Sequence, residues 1–268
     1  MENEHILVLG ATGASGVAFI EAVEELTRKP KLTLYVRPGS RSKLPACAFN
    51  PPTRIIEGQL DDKQAMQKAM STSASGESPS FQFPPVSVVV SFLGSYVSLK
   101  AVFTRDKSHP IADAFSTTII PAMKASRVPR ILALSTPSAL SHDVERKSIP
   151  WKWWLYTCMP ILLAPQGNAE MKGIARAVID AGSAAASGDN ASDSSNPATP
   201  TSAAIEAWTV FRVPHLTQGD LRAKVVAGLL DHDYAGSFDL SRGSLARWVL
   251  GEIEEKKFLN QLPMLANP

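Results

Sequence analysis

Short apolar runs alternate with amphipathic segments along most of the chain. The apolar runs are rich in Val, Ile and Leu, which is typical of strands that are buried on both faces of a parallel sheet. The predicted strands are 5–9, 31–36, 53–57, 86–92, 130–134 and 207–213. Apolar residues recur every three or four positions, the period of an amphipathic helix, in 15–28, 62–71, 110–126 and 167–181. Strands that alternate with helices predict an α/β fold with a doubly wound parallel sheet.

Two segments interrupt this alternation. Residues 71–85 are rich in Ser, Pro and Gly, and residues 182–203 are of low complexity, with almost no large apolar side chains. Neither segment can bury enough apolar surface to offset the entropy that is lost when a chain becomes ordered. Because strand patterns resume after each of them, we predict two loop insertions within a single domain, 1–268, rather than linkers between domains.

The composition excludes several classes of protein. A chain of 268 residues with 44% hydrophobic and 19% charged residues is typical of an ordinary globular protein. The net charge of +2 does not favour nucleic acid or an anionic membrane surface as the main partner. Cys47 and Cys158 are too few and too far apart to indicate a disulfide framework, and no apolar stretch is long enough to span a bilayer. No signal peptide or metal-ligand spacing occurs, so we expect a cytoplasmic protein without a bound metal.

A glycine-rich turn follows the first predicted strand. Residues 10–16 read Gly-Ala-Thr-Gly-Ala-Ser-Gly, with the glycines three positions apart between a strand and a helix. In this context the first glycine allows a sharp turn, the second allows close approach to a pyrophosphate, and the third allows the helix to pack on the sheet. Free N–H groups of the first helical turn then point at the anion. The predicted contacts with a dinucleotide are Gly10, Thr12, Gly13, Ala14, Ser15 and Gly16. The alternative, a turn without a ligand, is disfavoured by the order of strand, turn and helix.

The end of the second predicted strand distinguishes between the two nicotinamide dinucleotides. Enzymes that bind NAD usually place an acidic residue there, which holds the ribose hydroxyls. Residues 36–43 instead read Val-Arg-Pro-Gly-Ser-Arg-Ser-Lys, without a carboxylate. A guanidinium group with several hydrogen-bond donors beside it suits a 2′-phosphate. We therefore predict NADPH/NADP+ as the cofactor, with Arg37, Ser40 and Lys43 as contacts. A solvated basic loop is the alternative.

The third and fourth predicted strands also end in candidate contacts. Asp61 could accept a hydrogen bond from the adenine amine, although Asp61 or Asp62 could instead cap the following helix. Gly94, at the carboxyl end of a strand, would allow close approach of a ligand, although a plain turn explains it nearly as well. The predicted cofactor contacts from these two strand ends are Leu60, Asp61, Phe92, Leu93 and Gly94.

Hydroxyl groups follow the fifth predicted strand, in the sequence Ser-Thr-Pro-Ser of residues 135–138. In hydride-transfer enzymes of this architecture, the active site lies at the carboxyl ends of the strands. A hydroxyl there can hold a substrate carbonyl or assist proton transfer. We predict Ser135 as a catalytic residue and Ser138 as a substrate contact. A turn that ends a strand is an equally good explanation, because Ser and Thr are common in turns.

An aromatic and apolar run occupies residues 149–163. A flat, apolar, aromatic ligand would suit such a wall. Packing in the core and the interface of a homodimer are the alternatives, whereas a membrane-surface role has weaker support because the basic face is small. We predict Trp153 and Trp154 as substrate contacts and Tyr156 as a residue that orients the reacting oxygen.

Taken together, these motifs resemble the atypical short-chain dehydrogenase/reductases. More narrowly, the chain resembles their NmrA-like, NAD(P)H-binding branch, including averufin-oxidase-like proteins of fungal polyketide pathways. The residues that carry the resemblance are 10–16, Arg37, 58–61, 135–138, 208–214 and 240–250. The resemblance implies a Rossmann-type cofactor domain with a small C-terminal substrate-binding lobe, to which 138–206 and 235–268 contribute. It also implies that Val213 and Pro214 lie beside the nicotinamide.

One feature of that superfamily does not occur at its usual place. Its catalytic pair is Tyr-x-x-x-Lys on the helix after the fifth strand, where the lysine lowers the pKa of the tyrosine. Residues 138–182 contain no such pair. Tyr96 and Lys100 have the right spacing but follow the fourth strand, so we predict Tyr96 only as a substrate contact.

The sequence favours an NADPH-dependent oxidoreductase that acts on a hydrophobic, aromatic, polyketide-like metabolite. Two alternatives stay open. A non-redox cyclase, isomerase or dehydratase on the same scaffold is favoured by the missing Tyr–Lys pair. An NmrA-like regulator that senses the redox state of NADP is the other, although the aromatic run favours a substrate pocket over a sensor.

Overall fold

The computed structural model describes residues 1–72, 83–94, 109–139, 143–187 and 205–268. The strands are β1 (His5–Leu9), β2 (Lys31–Val36), β3 (Thr53–Glu57), β4 (Val88–Ser91), β5 (Arg130–Ser135), β6 (Ala207–Arg212), β7 (His215–Thr217), β8 (Val226–Gly228), β9 (Asp239–Ser241) and β10 (Met264–Ala266). The helices are α1 (Ala14–Glu24), α2 (Lys63–Met70), α3 (Pro110–Ala114), α4 (Ile120–Ala125), α5 (Asp143–Ser148), α6 (Trp151–Leu163), α7 (Pro165–Ser187) and α8 (Arg242–Glu255). A π-helical turn, Phe115–Ile119, joins α3 to α4.

The central sheet has the strand order β3-β2-β1-β4-β5-β6-β10-β8. Neighbouring strands are parallel except for β10 and β8, which are antiparallel. The chain moves from β1 to β2 and β3 on one side, and then returns to place β4 on the other side of β1. This reversal opens a crevice at the carboxyl ends of β1 and β4, where doubly wound sheets bind their ligands. The predicted α/β fold with a Rossmann-type sheet is confirmed.

The core around this crevice contains a chain of aromatic rings. Phe92, which follows β4, lies 5.3 Å from Phe19 of α1 and 6.1 Å from Phe211 of β6, measured between ring centroids. Phe211 in turn lies 6.1 Å from Trp248 of α8. Aromatic pairs at such distances contribute about 0.5–1.5 kcal/mol each beyond the burial of their area. The rings therefore connect the first helix, the middle of the sheet and the last helix.

The two predicted insertions differ in part from the structure. α7 continues to Ser187, past its predicted end at 181, because Ala184, Ala185 and Ala186 are strong helix formers. The rest of that insertion, from 188, lies outside the described residues. In the first insertion, Phe83 is buried and its ring lies 5.1 Å from the ring of His5. The end of that segment thus packs on the sheet.

The C-terminal part of the chain extends the central sheet and also forms a separate sheet of two strands. β10 pairs with β6 and with β8, and α8 packs on α1. β7 and β9 form a separate parallel pair. The sequence did not indicate β7–β10, because a strand of three residues is too short to show an alternating pattern.

A buried polar cluster lies at the amino end of β1. The Nδ1 of His5 lies 2.6 Å from the Pro84 carbonyl oxygen, so Nδ1–H donates and the neutral ring accepts the Thr33 hydroxyl at Nε2, at 2.7 Å. The Arg54 Nε–H donates to the same hydroxyl at 3.2 Å. The pKa of His5 is lowered to about 4, mainly because the ring is buried; the hydrogen bond to Pro84 opposes this shift, and the positive charges of Arg54 and Lys31 add to it.

We expect His5 to make the protein less stable in mild acid. An unfolded His5 binds a proton below about pH 6.5, whereas the folded one stays neutral down to about pH 4. The unfolded state therefore binds more protons between these values, and the free energy of unfolding falls as the pH falls. At pH 4.5 the loss from this residue relative to pH 7 should be about 2 kcal/mol.

Urea unfolding at pH 7 and pH 4.5 measures this effect. His5→Asn keeps a donor near the position of Nδ1. Between pH 7 and pH 4.5, its free energy of unfolding should fall by about 2 kcal/mol less than that of the natural protein. The control is His232→Gln, because His232 is exposed and should leave the pH profile unchanged. An unaltered profile in His5→Asn would contradict the assignment.

Candidate cofactor and active site

The turn between β1 and α1 has a backbone that fits only glycine at two positions. Gly10 has a φ of +79°, and a Cβ there would lie 2.9 Å from the carbonyl carbon of Phe92. A Cβ on Gly16 would clash with the carbonyl oxygen of Gly10. The Gly13 N–H donates to that same oxygen at 3.0 Å and closes the turn. Gly10 therefore lies against the end of β4, and the contacts of Gly13 and Gly16 with Gly10 keep the turn closed.

This turn presents the amino end of α1 to the crevice. Gly13 is the N-cap and has no side chain that could satisfy the free N–H groups of the first turn, which also contains no acidic residue. Ala14 is exposed, and Thr12 and Ser15 are half-buried, so the surface is open to a ligand. Free N–H groups and the positive end of a helix dipole suit a pyrophosphate.

The loop after β2 carries three exposed cations. The Ser40 N–H donates to the Arg37 carbonyl at 2.9 Å, and Gly39 has a φ of +75°, as the third residue of a type II turn requires. Arg37, Arg41 and Lys43 are exposed, whereas Ser40 is buried. No ion pair between described residues involves any of these cations. Because β2 is the parallel neighbour of β1, the cations follow the strand next to the glycine turn.

Tyr35 shapes the loop after β3, a role that the sequence analysis missed. Its buried hydroxyl donates to the Gln59 carbonyl at 2.6 Å. Burial, together with the charges of Asp62 and Asp61, raises the pKa of Tyr35 to about 12, so the phenol stays neutral and can donate. A Cβ on Gly58 would clash with this hydroxyl. In the sequence, the only indication of this contact was Gly58, a residue without a side chain just after the third strand.

Asp62, rather than Asp61, caps the helix that follows this loop. The Asp62 carboxylate accepts the Ala65 N–H at 3.0 Å at the start of α2. Asp61 is exposed and lies outside the cap, and Leu60 beside it is half-buried. The cap that the sequence left open between these two residues therefore belongs to Asp62, and Asp61 stays a candidate for the adenine amine.

The segment after β4 lies on the other side of β1. Phe92 is buried, and Leu93 and Gly94 are half-buried. A Cβ on Gly94 would lie 3.8 Å from both the Leu134 Cδ2 and the Met171 Sδ, which are ordinary van der Waals distances. Among the described residues, no contact requires glycine at position 94, and this position leaves space at the crevice.

The hydroxyls after β5 are engaged with α7. Ser135 is fully buried and donates to the Met171 carbonyl at 3.0 Å. Ser138 is also buried and donates to the Asn168 Oδ1 at 2.5 Å, while its oxygen lies 2.9 Å from the Thr136 hydroxyl. These bonds tie the end of β5 to the start of α7. Ser135 would have to release Met171 before it could donate to a substrate.

The predicted aromatic contacts lie on opposite sides of α6. Trp153 is 3% exposed and packs edge-on against Tyr156 at 5.4 Å, measured between centroids. Tyr156 also stacks on Phe238, at 5.0 Å and 9° between the ring planes. Trp154, in contrast, is 57% exposed. The structure therefore brings Trp153 and Tyr156 together in a small aromatic cluster, and leaves Trp154 outside it.

Tyr156 is a neutral phenol at ordinary pH. Burial raises its pKa, the carboxylate of Asp239 adds to this effect, and the backbone of His215 opposes it. In a Tyr-x-x-x-Lys pair the lysine acts in the opposite direction and lowers the pKa of the tyrosine. Tyr156 thus keeps its proton and can donate a hydrogen bond, and it is a weaker acid than the tyrosine of such a pair.

The end of β6 stays paired with the end of β5 at the edge of the crevice. The Val213 N–H donates to the Ser135 carbonyl at 3.1 Å. Val213 and Pro214 are both buried, so they offer a nearby ligand little surface. Tyr96 and Lys100 lie outside the described residues, and the structure therefore gives no position for this predicted substrate contact.

A buried ion pair connects β6 to the segment after β5. The Arg212 side chain is fully buried and donates to both carboxylate oxygens of Glu145, at 2.5 and 3.0 Å. Arg212 also donates to the Ala139 carbonyl at 3.2 Å, and Glu145 accepts the Leu230 N–H at 2.9 Å. The Arg212 Nε has no partner among the described residues. In the sequence, the indication of this ion pair was Arg212 itself, a charged residue at the end of an apolar strand.

Metal and membrane roles find no support in the described part of the chain. Among these residues, no group of three His, Cys, Asp or Glu side chains could hold a metal ion. None of the helices in the described ranges combines the length and the apolar character that crossing a bilayer requires.

Solved structures share the fold of this chain at low sequence identity. A short-chain dehydrogenase/reductase from Veillonella parvula in complex with NADP is 14% identical, with 99% of this chain and 95% of that chain covered and a TM-score of 0.60. A Rossmann-fold NAD(P)-binding family protein from Shigella flexneri is 16% identical, with 99% and 94% covered and a TM-score of 0.55. A candidate NAD-dependent epimerase/dehydratase from Bacillus halodurans is 12% identical, with 99% and 94% covered and a TM-score of 0.61. No protein-family model and no curated protein sequence matches the chain. These similarities establish a Rossmann fold.

We expect Glu145→Gln to destabilise the protein by about 3 kcal/mol or more, because it leaves the Arg212 guanidinium buried without a counter-charge. Urea unfolding at neutral pH measures the change in the free energy of unfolding. Glu254→Gln is the matched control, because this carboxylate is 66% exposed and should change stability by less than about 0.5 kcal/mol. If both variants are equally stable, the buried pair does not hold these segments together.

Proposed function

We propose that this protein is an NADPH-dependent oxidoreductase of the atypical short-chain dehydrogenase/reductase type, in the NmrA-like branch. The observation that carries the proposal is the glycine turn between β1 and α1, which only glycine fits at Gly10 and Gly16. Beside it, at the end of the neighbouring strand, lie exposed cations and no carboxylate. A backbone cradle next to cations is complementary to a dinucleotide with an additional phosphate.

The described residues at the carboxyl ends of β1, β2, β3 and β4 suit such a cofactor. The amino end of α1 would bind the pyrophosphate, and Arg37 and Lys43 would bind the 2′-phosphate. The exposed carboxylate of Asp61 would accept the adenine amine. Gly94 would leave room for the nicotinamide half, because even a Cβ at this position would lie 3.8 Å from its nearest neighbours among the described residues.

The substrate would bind between the crevice and the aromatic cluster. When bound, NADPH supplies a hydride for the carbon of a carbonyl or enone. Reduction of a carbonyl also needs a proton for the oxygen, and Tyr156 is protonated at ordinary pH and can hydrogen-bond to that oxygen; the alkoxide that forms after hydride transfer is basic enough to take its proton. We assign Tyr156 as the proton donor and Ser135 as the residue that orients the oxygen after it has released the Met171 carbonyl. Phe238, which stacks on Tyr156 and is 37% exposed, supports a flat, apolar substrate such as an aromatic polyketide.

A second function is favoured by the state of these two hydroxyls. The Ser135 proton is engaged with a backbone carbonyl, and in the described residues no cation lowers the pKa of Tyr156. A site of this kind suits an isomerase, cyclase or dehydratase that leaves the cofactor unchanged. It also suits a regulator that binds NADP without turnover.

We expect Arg37→Ala to weaken the binding of NADPH by about 10- to 100-fold and to change the binding of NADH much less, because the guanidinium would contact only the additional phosphate. Calorimetric titration with each nucleotide measures both dissociation constants. Arg28→Ala is the control, since the Arg28 side chain is 81% exposed and lies in no proposed contact. An equal loss for both nucleotides would remove the assignment of NADP.

We expect Tyr156→Phe to lower kcat by about 100-fold or more without changing KM or the affinity for NADPH, because only the transferred proton is lost. Oxidation of NADPH in the presence of hydrophobic aromatic ketones and quinones measures the rate. Tyr234→Phe is the matched control: Tyr234 packs on the same Trp153 ring, at 5.6 Å, and has no assigned role in the chemistry. Formation of product with the cofactor unchanged would instead support the non-redox enzyme, and binding of NADPH without turnover of any substrate would support the regulator.

A further inference from the structure

The outer side of α6 exposes a continuous apolar surface. Its large side chains are spaced three and four positions apart, which places them on one side of the helix. We call this surface the α6 outer face, and it consists of Trp151, Trp154, Leu155, Met159, Ile161 and Leu162. Trp151 and Leu162, near the two ends of the helix, are 71% and 76% exposed. Contiguous apolar surface of this kind usually marks a place where a protein meets a partner or a membrane.

The inner side of the same helix prevents α6 from turning this face inward. Trp153 packs in a core cluster with Leu230 and Met264. Tyr156 stacks on Phe238, and Thr157 is buried. Rotation of the helix would expose these residues in exchange. The apolar outer face is therefore built into the fold.

The exposed charges in the segment that carries the α6 outer face are all positive, and the Asp239 carboxylate, which acts on Tyr156 of the inner side, is paired with His215 at 2.9 Å. The sequence from Arg146 through Ala169 contains no acidic residue. Arg146, Lys147 and Lys152 are exposed, whereas the acidic residue just before them, Glu145, is buried in its ion pair with Arg212. The net charge of the whole chain is only +2, so this excess of positive charge is local to the segment. We call Arg146, Lys147 and Lys152 the basic rim.

We infer that the α6 outer face binds to the surface of a lipid bilayer that contains anionic headgroups. Tryptophan is enriched where membranes meet water, and both tryptophans of this face are exposed. Leu155, Met159 and Leu162 would enter the boundary between headgroups and acyl chains, and the basic rim would lie against anionic lipids. A helix of 13 residues is about 20 Å long, so it lies in the plane of the surface and does not cross the bilayer.

A second copy of this chain is a less favourable occupant. A twofold interface would bring the same cations of both copies towards each other. Because the segment from Arg146 through Ala169 has no acidic residue, it offers no counter-charge to them. An anionic bilayer supplies that counter-charge. This inference does not depend on the proposed oxidoreductase activity.

Flotation of the full chain with vesicles tests the inference. Vesicles of phosphatidylcholine with about a third of phosphatidylserine should bind the protein, and vesicles of phosphatidylcholine alone should bind it much less. The double variant Trp154→Gln, Leu162→Gln should bind the anionic vesicles at least about tenfold more weakly. The variant Lys147→Glu, Lys152→Glu should also bind more weakly, and high salt should weaken binding of the natural protein.

The matched control is Leu229→Gln, since Leu229 is an exposed leucine, at 55%, outside α6. It should float with the vesicles like the natural protein. Light scattering measures the size of every variant in solution and shows whether each one is folded and unaggregated. The inference is overturned if the natural protein does not float with anionic vesicles, or if the glutamine double variant floats equally well. It is also overturned if that variant converts a dimer into a monomer while no form of the protein binds vesicles.

Discussion

The close approach of the β1–α1 turn to the end of β4 is the constraint on which the rest of the site depends. Gly10 lies so near the Phe92 backbone that a Cβ would come within 2.9 Å of it. The Phe92 ring at the same point packs between Phe19 and Phe211. Because one residue serves both the crevice and the core, the position of the glycine turn follows from the packing of the sheet and its helices. A binding turn that is held by the core needs little reorganisation when it receives a ligand.

Buried polar contacts extend this rigidity from the crevice to the part of the molecule around α6. The pair of Arg212 and Glu145 joins the end of β6 to α5, and Ser138 joins the end of β5 to Asn168 of α7. Each of these groups would be costly to leave unpaired in the interior. They fix the segments around α6, whose inner side packs in the aromatic cluster. The apolar outer face of α6 is therefore left exposed.

Much of the fold was predictable from the sequence, because a buried parallel strand needs a run of apolar residues and an amphipathic helix needs a regular period. All six predicted strands are present with nearly the predicted ends. The short strands β7–β10 were missed because three residues carry no period. The cap by Asp62 and the hydrogen bond from Tyr35 to Gln59 depend on side chains whose direction only the folded backbone determines.

The sequence by itself determined the strand–turn–helix unit at Gly10, the basic loop at Arg37 and the sheet that places them side by side, because each of these follows from local conformational preference and periodicity. Only the tertiary structure decided the hydrogen bonds and the exposure of the other polar and aromatic side chains. It engaged the Ser135 hydroxyl with α7, buried Trp153 and exposed Trp154. The physical reason is that burial and hydrogen bonding depend on contacts between segments distant in sequence, and no local pattern specifies which of two neighbouring tryptophans faces the core.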